Sequence, residues 1–175
     1  SPLENVNDFI TLFKEYRGFL KSLSALHEVG YVHFDVKPDN IFKYRANEGD
    51  SYTMQLFDFG SARLIDDVVK NLQSDDGDGF IYEVTSGWYD HHDIDKYCQA
   101  IKIDDSISKV LDLTAAVKVL VELVCGNPDG LSVGFDASMI SSGFLGVKQK
   151  LSDIYHKAMN KDFSKRYVNC QDLMT

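Results

Sequence analysis

Two short polar motifs, together with the residues between them, constrain the fold of this chain most strongly. The first motif, HFDVKPDN, runs from residue 33 to residue 40, and the second, Asp-Phe-Gly, occupies residues 58–60. Between them, residues 41–44 and 54–57 read as two short strands, and the polar stretch that separates them reads as a hairpin connection. Strand, turn and strand would bring the end of the first motif beside the start of the second.

The two motifs contain the polar groups that phosphoryl transfer requires. That reaction needs divalent metal on the phosphates, a carboxylate at the attacking hydroxyl, and a cation for the transferring charge. Asp35 can accept the proton or orient the hydroxyl, and Lys37 can lie against the γ-phosphate of ATP. Asn40 and Asp58 offer the hard oxygen ligands that suit Mg²⁺. The sequence therefore predicts one side of a phosphotransfer site that uses ATP and Mg²⁺.

The first motif resembles the catalytic loop of protein kinases, H-R-D-L-K-P-x-N, with Phe34 in place of arginine, and the second matches their metal-binding D-F-G tripeptide. The resemblance spans residues 1–175 as one unit but covers only the C-terminal lobe of a kinase domain. It implies a mainly α fold with a small β-hairpin component, and an activation segment at about residues 58–93. The glycine-rich loop and V-A-I-K lysine of an N-terminal β lobe are not found, so that lobe is expected to be missing.

Hydrophobic periodicity agrees with a mostly helical lobe. A helix is predicted before Gly30, with one apolar face formed by Phe9, Leu12, Phe13, Tyr16, Leu20, Leu23 and Leu26. Residues 110–125 are apolar on most faces and read as a buried helix that stops at the Gly-Asn-Pro of residues 126–128. Residues 145–159 form another amphipathic pattern.

The resemblance to kinases implies structural roles around the two motifs. His33 would pack beneath Phe59 and bond to backbone, serving architecture instead of acid–base chemistry. Gly60 completes the metal-binding tripeptide, and Phe42 would lie under the adenine ring. Kinases with arginine at the position of Phe34 use it to bind a phosphate on the activation segment. Phenylalanine offers no such cation, so the chain resembles a non-RD kinase.

The kinase resemblance also assigns residues farther along the chain. Thr85 would bond to Asp35 and Lys37, as in Ser/Thr-type kinases. Asp112, at the start of the buried helix, would accept hydrogen bonds from the backbone of the catalytic loop; alternatively, it only favours the helix N-terminus through the macrodipole. Arg166 would make a buried ion pair that anchors the substrate-binding segment, with Asp93 as its anion, although Asp93 lies one position out of register.

A lobe of this kind should expose an apolar floor that includes Phe42 and Phe59. An exposed aromatic patch usually requires a partner surface. The expected partner is the missing N-terminal kinase lobe or another chain that covers the ATP site. Without that cover, half of the adenine pocket would be open to water, so the isolated chain is expected to be inactive.

The net charge of −9 and the sequence pI near 4.9 argue against nucleic acid or an anionic membrane as partner, and favour a basic protein substrate. Three scattered cysteines indicate neither a disulfide framework nor a zinc site. No leader sequence is recognised, and the most apolar stretch, residues 117–124, is interrupted by two charged residues. An intracellular protein of the cytoplasm or nucleus is expected.

The leading prediction is thus the catalytic lobe of a protein serine/threonine kinase. A kinase-derived scaffold or pseudokinase is the second reading, although nothing in such a protein requires Asp35, Lys37, Asn40 and Asp58 together. A small-molecule phosphotransferase of the aminoglycoside or choline kinase sort is the third. It shares the H-x-D-x-x-x-x-N skeleton, but Lys37-Pro38 and the intact Asp-Phe-Gly favour the protein kinases.

Overall fold

The computed structural model describes residues 3, 5–73, 84–85, 87–101, 104–125 and 144–175, without the side chains of residues 91, 92 and 105. The expected fold class, mainly α with a small β component, is confirmed. In chain order the elements of these ranges are α1 (Val6–Glu28), β1 (Tyr31–Val32), β2 (Ile41–Tyr44), β3 (Thr53–Leu56), β4 (Arg63–Leu64), α2 (Ile65–Gln73), α3 (His91–Ile101), α4 (Val110–Cys125), α5 (Leu145–Ala158) and α6 (Cys170–Met174), with 3₁₀ turns at Pro38–Asn40, Asp105–Ile107 and Phe163–Lys165.

Helix α1 begins at a capping box and ends before a left-handed glycine. The side chain of Asn5 accepts from the backbone N–H of Asp8 at 3.2 Å, and the Asp8 carboxylate accepts from the N–H of Asn5 at 3.1 Å. Gly30 follows the helix with φ of +84°, a conformation that favours glycine. The predicted apolar face is buried or partly buried, and it also includes the polar residues Glu15 and His27.

Two small antiparallel sheets hold the polar motifs in place. Strands β2 and β3 pair with Ile41 opposite Leu56, and the Phe57 N–H continues the ladder by donating to the Asn40 carbonyl at 3.0 Å. The second strand thus lies one residue earlier than the sequence predicts. Strands β1 and β4 pair with Tyr31 opposite Leu64. The residues before the first motif and after the second therefore lie side by side.

Helix α4 is the centre of the hydrophobic core, as its apolar sequence predicts. The Tyr16 hydroxyl of α1 donates to the Ala116 carbonyl at 2.7 Å, and the Thr114 hydroxyl donates to the Ala158 carbonyl of α5 at 3.3 Å. Among the described residues, no helix is both long enough and apolar enough to cross a membrane.

Helices α2 and α3 were not predicted; α2 lies within the activation segment expected at about residues 58–93, and α3 begins at its end. Each helix nevertheless buries apolar residues at helical spacing: Val68 and Leu72 in α2, and Ile94, Tyr97 and Ile101 in α3. Residues 74–83 and residue 86 of the predicted activation segment lie outside the described residues.

Gly18 marks the closest approach of α1 to β3, and Gly18→Ala is expected to destabilise the fold. A Cβ atom at Gly18 would lie 1.9 Å from the Thr53 Oγ1 and 2.8 Å from the Met54 carbonyl oxygen. Alanine favours helices by about 1 kcal/mol over glycine, but overpacking typically costs about 1–3 kcal/mol. We therefore expect a net loss in the free energy of unfolding, measured by urea titration with far-UV circular dichroism.

Gly146→Ala is the matched control for this prediction. Gly146 lies in α5, and a Cβ atom there would meet nothing within 4 Å. Gly146 is the second residue of α5, so its substitution should stabilise the fold by less than the roughly 0.5–1 kcal/mol of a mid-helix position, and should not destabilise it. If the two alanine substitutions stabilise equally, the close approach of α1 and β3 does not constrain residue 18.

Candidate active site

The structure joins the predicted catalytic residues in one hydrogen-bonded set around Asp35. Oδ2 of Asp35 lies 2.8 Å from the Lys37 Nζ and accepts from the Asn40 Nδ2 at 2.8 Å. Oδ1 of Asp35 accepts from the Thr85 hydroxyl at 2.5 Å, and Lys37 also donates to the Thr85 Oγ1 at 2.8 Å. Thr85 is 50 residues from Asp35 in sequence, so the contact depends on the tertiary fold.

These contacts decide the protonation state of Asp35. Partial burial acts to raise the pKa of its carboxyl group, but hydrogen bonds from Lys37, Thr85 and Asn40 and the charge of Lys37 outweigh that effect. The pKa of Asp35 therefore lies below its ordinary value, and the group is ionised at neutral pH. Three of its roughly four lone-pair positions are used by these neighbours, which leaves room for one further donor such as a substrate hydroxyl.

Asn40 and Asp58 supply oxygen atoms next to this set. Their proximity follows from the ladder, in which the Phe57 N–H bonds to the Asn40 carbonyl. The Asn40 Nδ2 donates to Asp35, so its Oδ1 is the amide atom that can ligate a cation. Asp58 is exposed, has a φ of +56°, and accepts from the Gly60 N–H at 3.2 Å.

The donor set of Asn40 and Asp58 fits Mg²⁺, which prefers oxygen ligands. Within the part of the chain that the structure describes, no group of three His, Cys, Asp or Glu side chains forms a self-contained metal site. A Mg²⁺ ion at Asn40 and Asp58 would take its other ligands from water and phosphate oxygens, as this ion commonly does.

His33 is fully buried and lies where the kinase resemblance implies. Its ring is 5.5 Å from the ring of Phe59 in an edge-on arrangement. The Asp35 N–H donates to its Nδ1 at 3.3 Å, so Nε2 carries the hydrogen and donates to the Phe57 carbonyl at 3.2 Å. Both ring nitrogens are therefore engaged with backbone, which suits an architectural role.

Asp112 fixes the backbone at the start of the catalytic loop. Its carboxylate accepts from the N–H of His33 at 2.7 Å and from the N–H of Phe34 at 2.9 Å. Phe34 has a φ of +59°, a left-handed conformation that a phenylalanine rarely adopts. Of the two readings of Asp112, the structure shows the bonds to the loop, which compensate for the strain at Phe34.

Tyr89 and His27 complete the surroundings of Asp112, and sequence reasoning missed both. The Tyr89 hydroxyl donates to the Asp112 Oδ1 at 3.1 Å and accepts from the Val36 N–H at 2.9 Å. His27 Nε2 lies 2.9 Å from the Asp112 Oδ2. Burial acts to raise the pKa of Asp112, but the hydrogen bond and charge of His27, with the His33 amide, lower it below its ordinary value.

The ion pair expected between Arg166 and Asp93 is present. Nη1 and Nη2 of Arg166 lie 2.8 and 3.2 Å from the two carboxylate oxygens of Asp93, a two-pronged contact. The Arg166 Nε also donates to the Asn160 carbonyl at 2.6 Å, and its Nη1 lies 3.3 Å from the Thr114 hydroxyl. The first turns of α3 and α4 are thereby joined to the segment that precedes α6.

Large aromatic side chains are exposed beside the oxygen ligands. Phe42 is 60% exposed, Phe59 51% and Phe57 41%. Phe42 and Phe57 contact each other across the β2–β3 ladder with ring centroids 6.3 Å apart. Apolar rings with this exposure form a surface suited to an aromatic ligand or to another protein surface.

The chain is similar to several curated protein kinases. It is 24% identical over 168 residues, 90% of the chain, to the probable serine/threonine-protein kinase PknB of Bifidobacterium longum. It is 49% identical over 45 residues to Pkn1 of Myxococcus xanthus and 39% identical over 75 residues to a Wee1-like protein kinase of Oryza sativa subsp. japonica, covering 26% and 42% of the chain. No protein-family model matches the chain.

The chain spans only a small part of these relatives: 22% of PknB, 6% of Pkn1 and 13% of the Wee1-like kinase. The similarity to PknB nevertheless extends over most of the chain, and the mainly helical lobe carries the catalytic-loop and Asp-Phe-Gly motifs in kinase order. The chain is therefore similar to protein kinases over most of its length, and its mainly helical fold is consistent with the C-terminal lobe of a kinase domain.

Proposed function

We propose that the complete protein is an ATP-dependent serine/threonine protein kinase and that this chain is its catalytic lobe. The proposal depends mainly on one observation: the Asp35 carboxylate is held by Lys37, Asn40 and Thr85 at 2.5–2.8 Å. A fixed, ionised carboxylate beside a fixed ammonium group is what phosphoryl transfer to a hydroxyl requires.

Each residue then has a definite task. Asp35 accepts a hydrogen bond from the attacking hydroxyl and takes its proton as the new oxygen–phosphorus bond forms, while the bond between the γ-phosphorus and the bridging oxygen breaks and ADP leaves. Lys37 donates to an oxygen of the transferred phosphoryl group. Asn40, through Oδ1, and Asp58 would hold Mg²⁺, which would neutralise charge on the phosphates of ATP. His33 and Asp112 keep the loop that carries Asp35 in its conformation.

The Ser/Thr type is supported by the two bonds of Thr85 to Asp35 and Lys37. Phe34 is buried and contacts the ring of Tyr97 at 6.4 Å, so it contributes an apolar contact where many kinases carry a cation. A phenyl ring cannot neutralise a phosphate. We therefore do not propose that a phosphate on the activation segment controls activity by pairing with residue 34.

The exposed rings of Phe42, Phe57 and Phe59 support a partner that covers the ATP site, either an N-terminal kinase lobe or another chain. Burying these rings would remove apolar surface from water and lower the dielectric around the phosphates. The chain by itself is accordingly proposed to be inactive in phosphotransfer. The net charge of −9 supports a basic protein substrate.

Mg-ATP binding to this chain tests the proposed site without requiring activity. We expect saturable, Mg²⁺-dependent binding with a Kd of about 1 mM or tighter, which corresponds to roughly −4 kcal/mol. Asp58→Ala and Asn40→Ala should each abolish it, because each removes one of two protein ligands. Isothermal calorimetry and NMR chemical-shift titration would measure the affinities.

Asp153→Ala serves as the control, because Asp153 is an exposed carboxylate of α5 that the proposal does not use. It should bind Mg-ATP like the unaltered chain. Binding that survives both Asp58→Ala and Asn40→Ala would remove these residues from the metal site, and no binding at millimolar Mg-ATP would contradict a nucleotide site on this lobe.

A further inference from the structure

Lys118 is an unexpected cation within the most buried helix of the lobe. Its neighbours in sequence, Val117 and Val119, are fully buried, and Lys118 is the only basic residue of α4. The Lys118 Nζ donates to the main-chain carbonyl of Gly87 at 3.2 Å and to that of Trp88 at 2.9 Å. An ammonium group has three donors on a flexible stem, which suits two consecutive carbonyl oxygens.

The two carbonyl groups belong to a tight turn from Thr85 to Tyr89. The backbone N–H groups of Trp88 and Tyr89 both donate to the Thr85 carbonyl at 3.3 Å. Gly87 has a φ of +91°, and a Cβ atom there would meet nothing within 4 Å. Gly87 therefore packs no side chain against the lobe, whereas the Trp88 ring is partly buried against the core, and Lys118 attaches the main chain of both residues to α4.

Both ends of this turn contact the catalytic loop. At one end, the Thr85 hydroxyl bonds to Asp35. At the other end, the Tyr89 hydroxyl bonds to the Val36 N–H and to Asp112. A displacement at the centre of the turn would consequently move Thr85, because only three residues separate it from Tyr89.

We propose that Lys118 is a positioning residue: by holding the carbonyl groups of Gly87 and Trp88, it keeps the turn in the conformation in which Thr85 bonds to Asp35 and Lys37. This inference rests on the proposed function, because the position of Thr85 matters for phosphotransfer only if Asp35 acts on the substrate hydroxyl. Lys118 touches neither the substrate nor the nucleotide in this proposal, and acts through Thr85.

The Lys118 ammonium group is partly buried, and its hydrogen bonds to the two carbonyl groups offset the cost of that burial. Burial lowers the pKa of Lys118 below its ordinary value, and Arg166 acts in the same direction, whereas Asp93 and Asp90 oppose the shift. Desolvating an ammonium group costs free energy unless its hydrogen bonds are made. Methionine, of similar length, would avoid that cost but would leave both carbonyl groups without this donor.

Trp88 is the only tryptophan of the chain, so its fluorescence reports on the turn directly. Lys118→Met is expected to shift Trp88 emission to the red and to increase its quenching by acrylamide. Lys118→Arg should restore the unaltered spectrum, because a guanidinium group can donate to both carbonyls. Lys21→Met, at an exposed position of α1, is the matched control and should leave the emission unchanged.

Two NMR measurements on the same variants separate positioning from general loss of stability. In Lys118→Met, the amides of Trp88 and Tyr89 should exchange faster, and the Thr85 methyl resonance should shift. The amides of His33 and Phe34, which bond to Asp112, should keep their protection. These readouts need neither ATP nor activity, so they can succeed even if the proposed kinase function fails.

A folded Lys118→Met chain with unchanged Trp88 emission and an unchanged Thr85 resonance would overturn the proposal. So would Lys118→Arg behaving like Lys118→Met, because the contact would then not depend on the donors. Should Lys118→Met lose its helical circular dichroism, Lys118→Leu replaces it. Leucine has no hydrogen-bond donor and favours helices, and the same shifts are expected of it.

Discussion

Asp35→Asn is expected to lower kcat of the phosphotransfer proposed for the complete protein by about 10²–10⁴-fold, the usual contribution of a positioned general base. Asparagine keeps the shape of the side chain but lacks a carboxylate to take the proton of the hydroxyl. It also removes the partner of the Lys37 ammonium group, 2.8 Å away. The measurement is ATP-dependent phosphorylation of a basic protein, with kcat and KM for ATP determined separately.

The KM for ATP should change much less than kcat, because Asp35 is not one of the proposed metal ligands. Asp153→Asn, an exposed substitution on α5, is the control and should leave both constants unchanged. A decrease of less than about tenfold in a variant of normal stability would remove Asp35 from the catalytic role. Inactivity of the unaltered complete protein would instead favour a kinase-derived scaffold.

Asp112→Asn is expected to destabilise the lobe by about 3–5 kcal/mol, the usual cost of breaking a buried charged network. The carboxylate accepts hydrogen bonds from both the His33 and Phe34 amides. An asparagine offers one oxygen and turns an NH₂ group toward donors, so at least one buried N–H would be unsatisfied. Urea unfolding followed by far-UV circular dichroism measures the change.

The pH dependence of the difference in unfolding free energy between the unaltered chain and Asp112→Asn gives a second test. The pKa of Asp112 is lower in the folded chain than its ordinary value, so its stabilisation is present above about pH 4 and is lost as the pH falls through the folded-state pKa. The gap between the unaltered chain and Asp112→Asn should therefore shrink below about pH 4. The control, Asp153→Asn, should have the same unfolding free energy as the unaltered chain at each pH. If Asp112→Asn lowers the unfolding free energy by less than about 1 kcal/mol at pH 7, the buried hydrogen bonds of Asp112 do not stabilise the lobe as expected.

Sequence alone predicted α1, α4, α5, the β2–β3 pair and the short-range chemistry, but not α2 or α3. Helix α1 follows from apolar residues at the helical period of 3.6 residues. Helix α4 follows from a stretch that is apolar on most faces and ends at a Gly-Asn-Pro stop signal. The proximity of Asn40 and Asp58 follows from two short strands and a turn. Residues 35, 37 and 40 lie so close in the chain that one loop must bring them together.

The tertiary structure decided which distant residues support that loop. His27 and Asp112 are 85 residues apart, and Arg166 and Asp93 are 73 apart. The kinase resemblance indicated the Arg166 pair, but no local pattern indicated His27, Tyr89 or the contacts of Lys118. A buried hydrogen bond between distant residues has no sequence period, because its partners are chosen by how helices and turns pack. The motifs thus predict the reactive groups, and the packing of α1, α4 and the Thr85–Tyr89 turn determines their geometry.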